Sequence, residues 1–132
     1  MAFKARLKMA SKEYDVLACS YVLNRDVDHK GRPSSGVYGG TIDVEIESTE
    51  DTSIVEAMVN NQFKPLAGSV LFKKSEEDAK MKELTFEDAY IVKYAEGINI
   101  VGNDPMKLRF TISARKLKLG SAEHVNDWPK AN

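Results

Sequence analysis

The chain has 132 residues, 42% hydrophobic and 30% charged, with a formal net charge of -1. That length suits one domain spanning residues 1–132, and the charge balance excludes the basic surplus of a general nucleic-acid binder. A lone cysteine, Cys19, excludes an intrachain disulfide, and no cluster of thiols marks a zinc site, so the fold rests on packing, as suits a reducing cytoplasm.

At the start, Phe3, Ala5, Leu7 and Met9 alternate with Lys4, Arg6 and Lys8, which predicts a strand with one buried and one wet face. These cations interrupt the apolar run a secretory signal requires, and no stretch reaches the roughly 18 apolar residues of a membrane span. From Glu13 to Arg25 both parities are apolar, with Tyr14, Val16, Ala18 and Val22 on one side and Leu17, Cys19, Tyr21 and Leu23 on the other. The expectation is a strand that buries both faces, one on the core and one under a helix or another subunit. Asp26 to Gly40, which includes GRPSSGVYGG, reads as a loop of about 15 residues, well beyond the usual hairpin connection. Val37 and Tyr38 are available as anchors there and Arg32 as a directional donor, which points to contact with a partner.

Ile42, Val44 and Ile46 alternate with Thr41, Asp43, Glu45 and Glu47 in the cleanest half-buried strand. A helix of about three turns follows, with Ser53 and Glu56 in capping-box spacing and Asp51 near the positive end of its dipole. Ile54, Val55, Met58 and Val59 share its apolar face, and Asn60, Asn61 and Pro65 end it. Next come a strand over Gly68 to Lys74, a charged turn over Ser75 to Lys80, and a long strand over Met81 to Tyr94. In that strand Asp88 shares the parity of Leu84, Phe86, Tyr90, Val92 and Tyr94, so a bulge near Glu87 and Asp88 is needed to turn the carboxylate outward. Ala95 to Pro105 reads as a loop, and Met106 to Lys118 as a strand with Leu108, Phe110, Ile112 and Ala114 inward. Leu117 and Leu119 switch parity, which predicts a bend, and Trp128 anchors the tail. The fold class is mainly β: a small closed β-barrel or curled sandwich of about six strands with one flanking α-helix, because open edges invite unwanted pairing.

Little in the chain points to catalysis. His29 and His124 fall in separate loops without His-x-His, Cys-x-x-Cys or Gly-x-Ser-x-Gly company, and read as exposed. Asp43, Glu45 and Glu47 form a carboxylate stripe that reads as a solvated face, or as a partner for Lys4, Arg6 and Lys8 within or between subunits, ahead of a cation site. The glycine-rich segment precedes a strand rather than a helix and lacks a Gly-Lys-Ser/Thr ending, so it is no phosphate cradle. No catalytic, cofactor-binding or metal-binding residue is expected, and no cofactor.

The run GRPSSGVYGGTIDVEIESTEDTS, then GSVLF, KELTFEDAYIVKY, FTISARKLKLG and EHVNDW, closely resembles Hcp-like tube proteins of the type VI secretion system, in the TssD form of Bacteroidetes. The resemblance covers essentially the whole chain. It implies a barrel flanked by one helix, six copies closing a ring, and rings stacking into a hollow tube that is not an enzyme. The implied partners are the chain itself, contractile sheath proteins, a spike protein and baseplate, and secreted effectors in the ring lumen, with no nucleic acid and no direct membrane insertion. The implied location is cytoplasmic before firing, then extracellular without a signal peptide. In the family the long loop after the second strand is associated with contacts between rings, a position held here by Arg32, Pro33, Ser34, Ser35, Gly36, Val37 and Tyr38. Candidate contacts between protomers are Leu17, Cys19, Tyr21 and Leu23, with Lys4, Arg6 and Lys8 and with Asp43, Glu45 and Glu47. The alternatives are an oligonucleotide-binding barrel, which also places a helix between its third and fourth strands, and a tube paralogue that forms rings or carries effectors.

Overall fold

The computed structural model describes residues 3–60, 63–74 and 79–128. In chain order the elements are β1 (Phe3–Met9), β2 (Lys12–Tyr21), β3 (Asn24–Val27), β4 (Pro33–Tyr38), β5 (Thr41–Glu47), α1 (Ser53–Val59), β6 (Leu66–Lys74), β7 (Ala79–Gly97), β8 (Lys107–Leu119) and β9 (Ala122–Val125). Neighbouring strands run antiparallel in the order β5-β2-β1-β6-β7-β8, and a ladder from Thr41↔Ser113 to Glu47↔Lys107 joins β5 to β8 and closes the barrel. β9 adds to β8 past Ser113, where the ladder to the start of β5 stops.

Alternation fills the interior as the sequence predicts. Leu7 and Met9 of β1, Ile42, Val44 and Ile46 of β5, and Leu108, Phe110, Ile112 and Ala114 of β8 are buried together. Phe3 is the exception on β1, at 56% exposure near the strand's open end. No polar or charged side chain among the described residues is fully buried, so the core holds by apolar burial alone.

Two long strands change parity at bulges. Leu66 pairs with Ala89 but Gly68 with Phe86, so Ala67 faces both Glu87 and Asp88; Asp88 adopts φ 50° and points outward, where Arg115 donates to it at 2.8 Å. The expected bulge is thus present, and it transfers burial from Leu84 and Phe86 to Ala89 and Ile91. Opposite it, β8 switches from Ala114 to Leu117, as its parity change predicts. A second shift between Ile91 and Lys93 leaves Val92 exposed, contrary to the inward placement expected for it.

On β2 the register shifts between Val16 and Ala18. Tyr14 and Val16 face the core before this bulge, Cys19 and Tyr21 after it, while Leu17 stays half exposed. Apolar residues in both parities therefore encode a change of face, and no residue of β2 is fully buried in the single chain. Nor does the helix cover the strand's outer side, because α1 packs against β7.

α1 spans 7 residues, about two turns rather than three, and Asn60 caps its end. Val59 is exposed and Val55 is not among the residues packed on the core, so the face that packs is Ile54 with half-buried Ala57 and Met58. Asn61 and most of the Ser75 to Lys80 turn lie outside the described residues. Ser53 is not the cap expected of it: Thr52 is the N-cap residue, and its hydroxyl bonds Glu56. Asp51 holds the helix start to β2, accepting from Ser53 N at 2.9 Å, Lys12 Nζ at 3.1 Å and Tyr14 Oη at 3.2 Å. The Ser53 hydroxyl and N–H, then Lys12, hold the Asp51 carboxyl well below the usual carboxylate range. Burial first, and Asp51 second, push the Tyr14 phenol up to about 12.

Two outcomes follow for stability. A Cβ on Gly68 would stand 2.2 Å from the Lys8 carbonyl oxygen and 2.9 Å from the Phe86 ring, so Gly68→Ala should cost about 1–3 kcal/mol, read as a lowered midpoint in urea. Because the folded pKa of Asp51 is depressed, its contribution is complete at neutral pH and is lost as pH falls below about 4 toward the folded value. Melting temperatures of the parent and Asp51→Asn should differ at pH 7 and converge in acid; a gap independent of pH would contradict this.

Candidate functional site

Residues 24–38 form a two-stranded hairpin, the arm, that pairs with no other strand among the described residues, where Asp26 to Gly40 were expected as loop and Asn24 and Arg25 as the end of the strand from Glu13. Asp28, His29, Lys30 and Gly31 make its tip: Gly31 N donates to Asp28 O at 2.9 Å, and Gly31 takes φ 85°. The Asp28 carboxylate accepts from Lys30 N at 2.9 Å, Arg32 N at 3.0 Å and Arg32 Nε at 3.0 Å. The N–H groups of Arg32 and Lys30 lower its pKa below the ordinary value. A register shift between Arg25 and Val27 takes Asp26 out of the ladder, and its N–H donates to Ser35 Oγ at 2.8 Å. Arg25 Nε then donates to Ser35 O at 3.0 Å, and Tyr38 Oη to Asp26 Oδ2 at 3.1 Å.

These local bonds supply the order that a lone hairpin lacks, since two strands without a packed face are marginal in water. Arg32 to Tyr38 are thereby brought together as one strand and its approach. Val27, Val37 and Tyr38 remain exposed on it. At the base, Asn126 Nδ2 donates to Gly39 O and Ala114 O, each at 3.0 Å, and Gly40 adopts φ 109° beside that amide. The Trp128 ring meets that of Tyr90 at 6.2 Å between centroids, tilted by 36°, so the tail ties the arm's root to the barrel wall. Asp28 was legible as the first residue of an Asp-x-x-Gly turn; nothing in the sequence marked Asn126.

The other candidates lie on the barrel wall. Leu17 and Leu23 are about half exposed, and Leu23 folds over Gly39. Cys19 and Tyr21 turn toward the core, where Tyr21 meets Phe72 at 6.4 Å between ring centroids. Lys4, Arg6 and Lys8 stand on β1 and Asp43, Glu45 and Glu47 on β5, but β2 lies between them, so the stripes do not meet directly in one chain. Arg6 instead pairs with Glu13 at 3.3 Å and Asp15 at 3.4 Å, and Lys8 with Glu13 at 3.5 Å. Glu45 takes Arg109 at 2.6 Å and Lys107 at 3.9 Å, and Asp43 accepts from Thr111 at 2.6 Å.

Asp43, Glu45, Arg109 and Thr111, with Cys19, line an open cleft of about 530 Å³ over β2, β5, β8 and β7, beside Ala18, Ser20, Lys93 and Ala95. Its floor suits contact more than chemistry. Burial, then Asp43, push the Cys19 thiol up to about 11, so little thiolate forms at neutral pH. Among the described residues no group of three or more His, Cys, Asp or Glu could hold a metal ion, and no helix is long and apolar enough to cross a membrane. Of the barrel-strand aromatics that a nucleic-acid barrel would present for base stacking, Phe86 and Phe110 are fully buried, and Phe72 and Tyr90 each meet another ring at a tilt.

No curated protein matches the chain. The model of the family described as hemolysin coregulated protein Hcp (TssD) matches residues 1–129. Hcp1 from Flavobacterium johnsoniae is 43% identical over 93% of this chain and 99% of its own, with a TM-score of 0.87. Hcp1 from Salmonella typhimurium, 14% identical over 90% of this chain and 86% of its own, shares the fold at a TM-score of 0.72. A chain of the sheath-tube complex of an extracellular contractile injection system, PVC, is 12% identical over 90% of this chain and 89% of its own, with a TM-score of 0.56, again a likeness of fold. The family model over residues 1–129 and the 43% identity to a solved Hcp1 agree: the chain belongs to the hemolysin coregulated protein (Hcp, TssD) family.

Proposed function

We propose that this protein is the structural subunit of a type VI secretion tube, in which six copies close a ring and rings stack into a hollow conduit. The observation that carries the reading is the arm: a stiffened hairpin of 24–38 that pairs with no barrel strand and keeps Val27, Val37 and Tyr38 in solvent. Such a projection has no work to do within its own chain, and docking on a neighbouring ring would bury it. The tube is a projectile and carrier rather than an enzyme, which agrees with a wall cleft whose charges neutralise one another. The sheath around it, the spike and baseplate at its tip, and effectors in its lumen are the partners this role requires. Assembly in the cytoplasm followed by mechanical expulsion would carry the protein out of the cell.

Within a ring, exposed Leu17 on the bulge of β2 and Leu23 at the arm's root supply apolar contact between protomers, with Cys19 and Tyr21 behind them. β2 separates the basic stripe of Lys4, Arg6 and Lys8 from the acidic stripe of Asp43, Glu45 and Glu47 in one chain, so the boundary between two copies is where they can face each other.

Deleting Ser34 to Val37 should leave the ring intact and abolish stacking, as seen in electron micrographs and sedimentation; stacking at the parent's level would refute the docking role. Leu17→Asp should shift the solution mass from hexamer toward protomer by about tenfold or more in dissociation constant, with melting little changed.

A further inference from the structure

The two ends of the barrel carry unlike surfaces. Strand directions put the arm at the end where β2 finishes and β5 begins, and the segment between β7 and β8 at the opposite end, beside the connection from β5 to α1. There residues 98–106 leave the wall after Gly97 and return at Lys107, with Ser48 N donating to Met106 O at 2.8 Å. Ile98, Ile100 and Val101 are 60%, 86% and 98% exposed. Three large aliphatic side chains within four positions, all in water, are a contact surface awaiting a partner.

That surface has an acidic rim. Between Asp43 and Phe63, and again between Tyr94 and Met106, the sequence contains no lysine or arginine, while Glu47, Glu50, Glu96 and Asp104 fall within those stretches. The arm is its complement in both respects. It exposes Val27, Val37 and Tyr38, and its Arg25, Lys30 and Arg32 outnumber Asp26 and Asp28, which leaves the arm a net positive charge although Arg32 pairs with Asp28 and Arg25 bonds Ser35 O within it.

We propose that the loop of residues 98–106 is the socket that receives the β3–β4 arm of another copy of this chain in the next ring; this rests on the stacking role argued above. A contact whose two halves lie at opposite ends of one protomer cannot satisfy itself within a single ring and propagates as an open column. Each arm covers little area. Ring symmetry compensates, because once one arm is seated the others bind at high effective concentration. The acidic rim sets register and speeds encounter, and the aliphatic floor holds the arm.

The test uses full-length chains in two forms, one lacking Ser34 to Val37 and one carrying Ile100→Asp with Val101→Asp, with Ile100→Ser and Val101→Ser as a milder pair. Neither Ile100 nor Val101 is buried, so rings and melting should be unchanged while the stacked fraction falls about tenfold or more for the Asp pair. An equimolar mixture of arm-deleted rings and Asp-pair rings should form pairs of rings and nothing longer, since only one arm-bearing face meets one intact socket. Normal stacking by the Asp pair, or a mixture that stays as single rings, overturns the socket. If the arm deletion blocks stacking and the Asp pair does not, the socket alone fails and the loop is left to sheath or spike. If arm-deleted rings stack normally, or unaltered rings never stack at high concentration, the stacking role fails and takes the socket with it.

Discussion

The closing ladder between β5 and β8 is the constraint on which the rest depends. Once Thr41 to Glu47 pairs with Lys107 to Ser113, the barrel has no continuous open edge, and the unpaired backbone that remains among the described residues is confined to β9 and to the β3–β4 arm. What remains at the margins is poorly suited to strand addition: β9 is four residues long with a Glu and a His, and β4 carries Pro33 and Gly36. Side chains on the wall and at the two ends are therefore the larger surfaces available for contact between copies. That directs attention to the exposed leucines of β2, the arm and the aliphatic loop across from it.

Closure also explains the bulges. A sheet of few strands must coil sharply to meet itself, and an extra residue on one strand supplies the bend while moving burial from one parity to the other. β7 does this at Asp88, and β8 bends opposite, where its second partner changes from β5 to β9. The Arg115 and Asp88 pair stands at this bend, with its charges in solvent where a carboxylate needs no buried compensation. Gly68 occupies the corresponding place on β6, where the Lys8 carbonyl and Phe86 leave no room for a side chain.

The arm follows a different logic from the wall. Its strands contain Asn, Asp, Pro, Ser and Gly, poor formers of sheet, and it has no core of its own. Side-chain bonds from Asp28 and Ser35 replace packing, and Asn126 fixes its root against Ala114 and Gly39. An element held this way keeps its shape while leaving its apolar residues uncommitted, which is what a docking part requires.

Alternation by itself determined the barrel strands of this protein, because inward residues at every second position leave a one-dimensional record; Ile42, Val44 and Ile46 could be assigned from spacing alone. The outward turn of Asp88 was equally legible, since an unpaired carboxylate in the core has no tolerable alternative. The full run of motifs carried the family likeness. The arm was misread as loop because its order comes from hydrogen bonds across ten or so residues, which leave no periodic trace. Apolar residues in both parities of β2 looked like two buried faces and proved to be one face changing sides at Leu17. The separation of the Lys4 to Lys8 stripe from the Asp43 to Glu47 stripe, and the placing of Ile98, Ile100 and Val101 opposite the arm, were decided only by tertiary structure. Both depend on which strands become neighbours, a matter settled by closure of the sheet and not by any local preference of the chain.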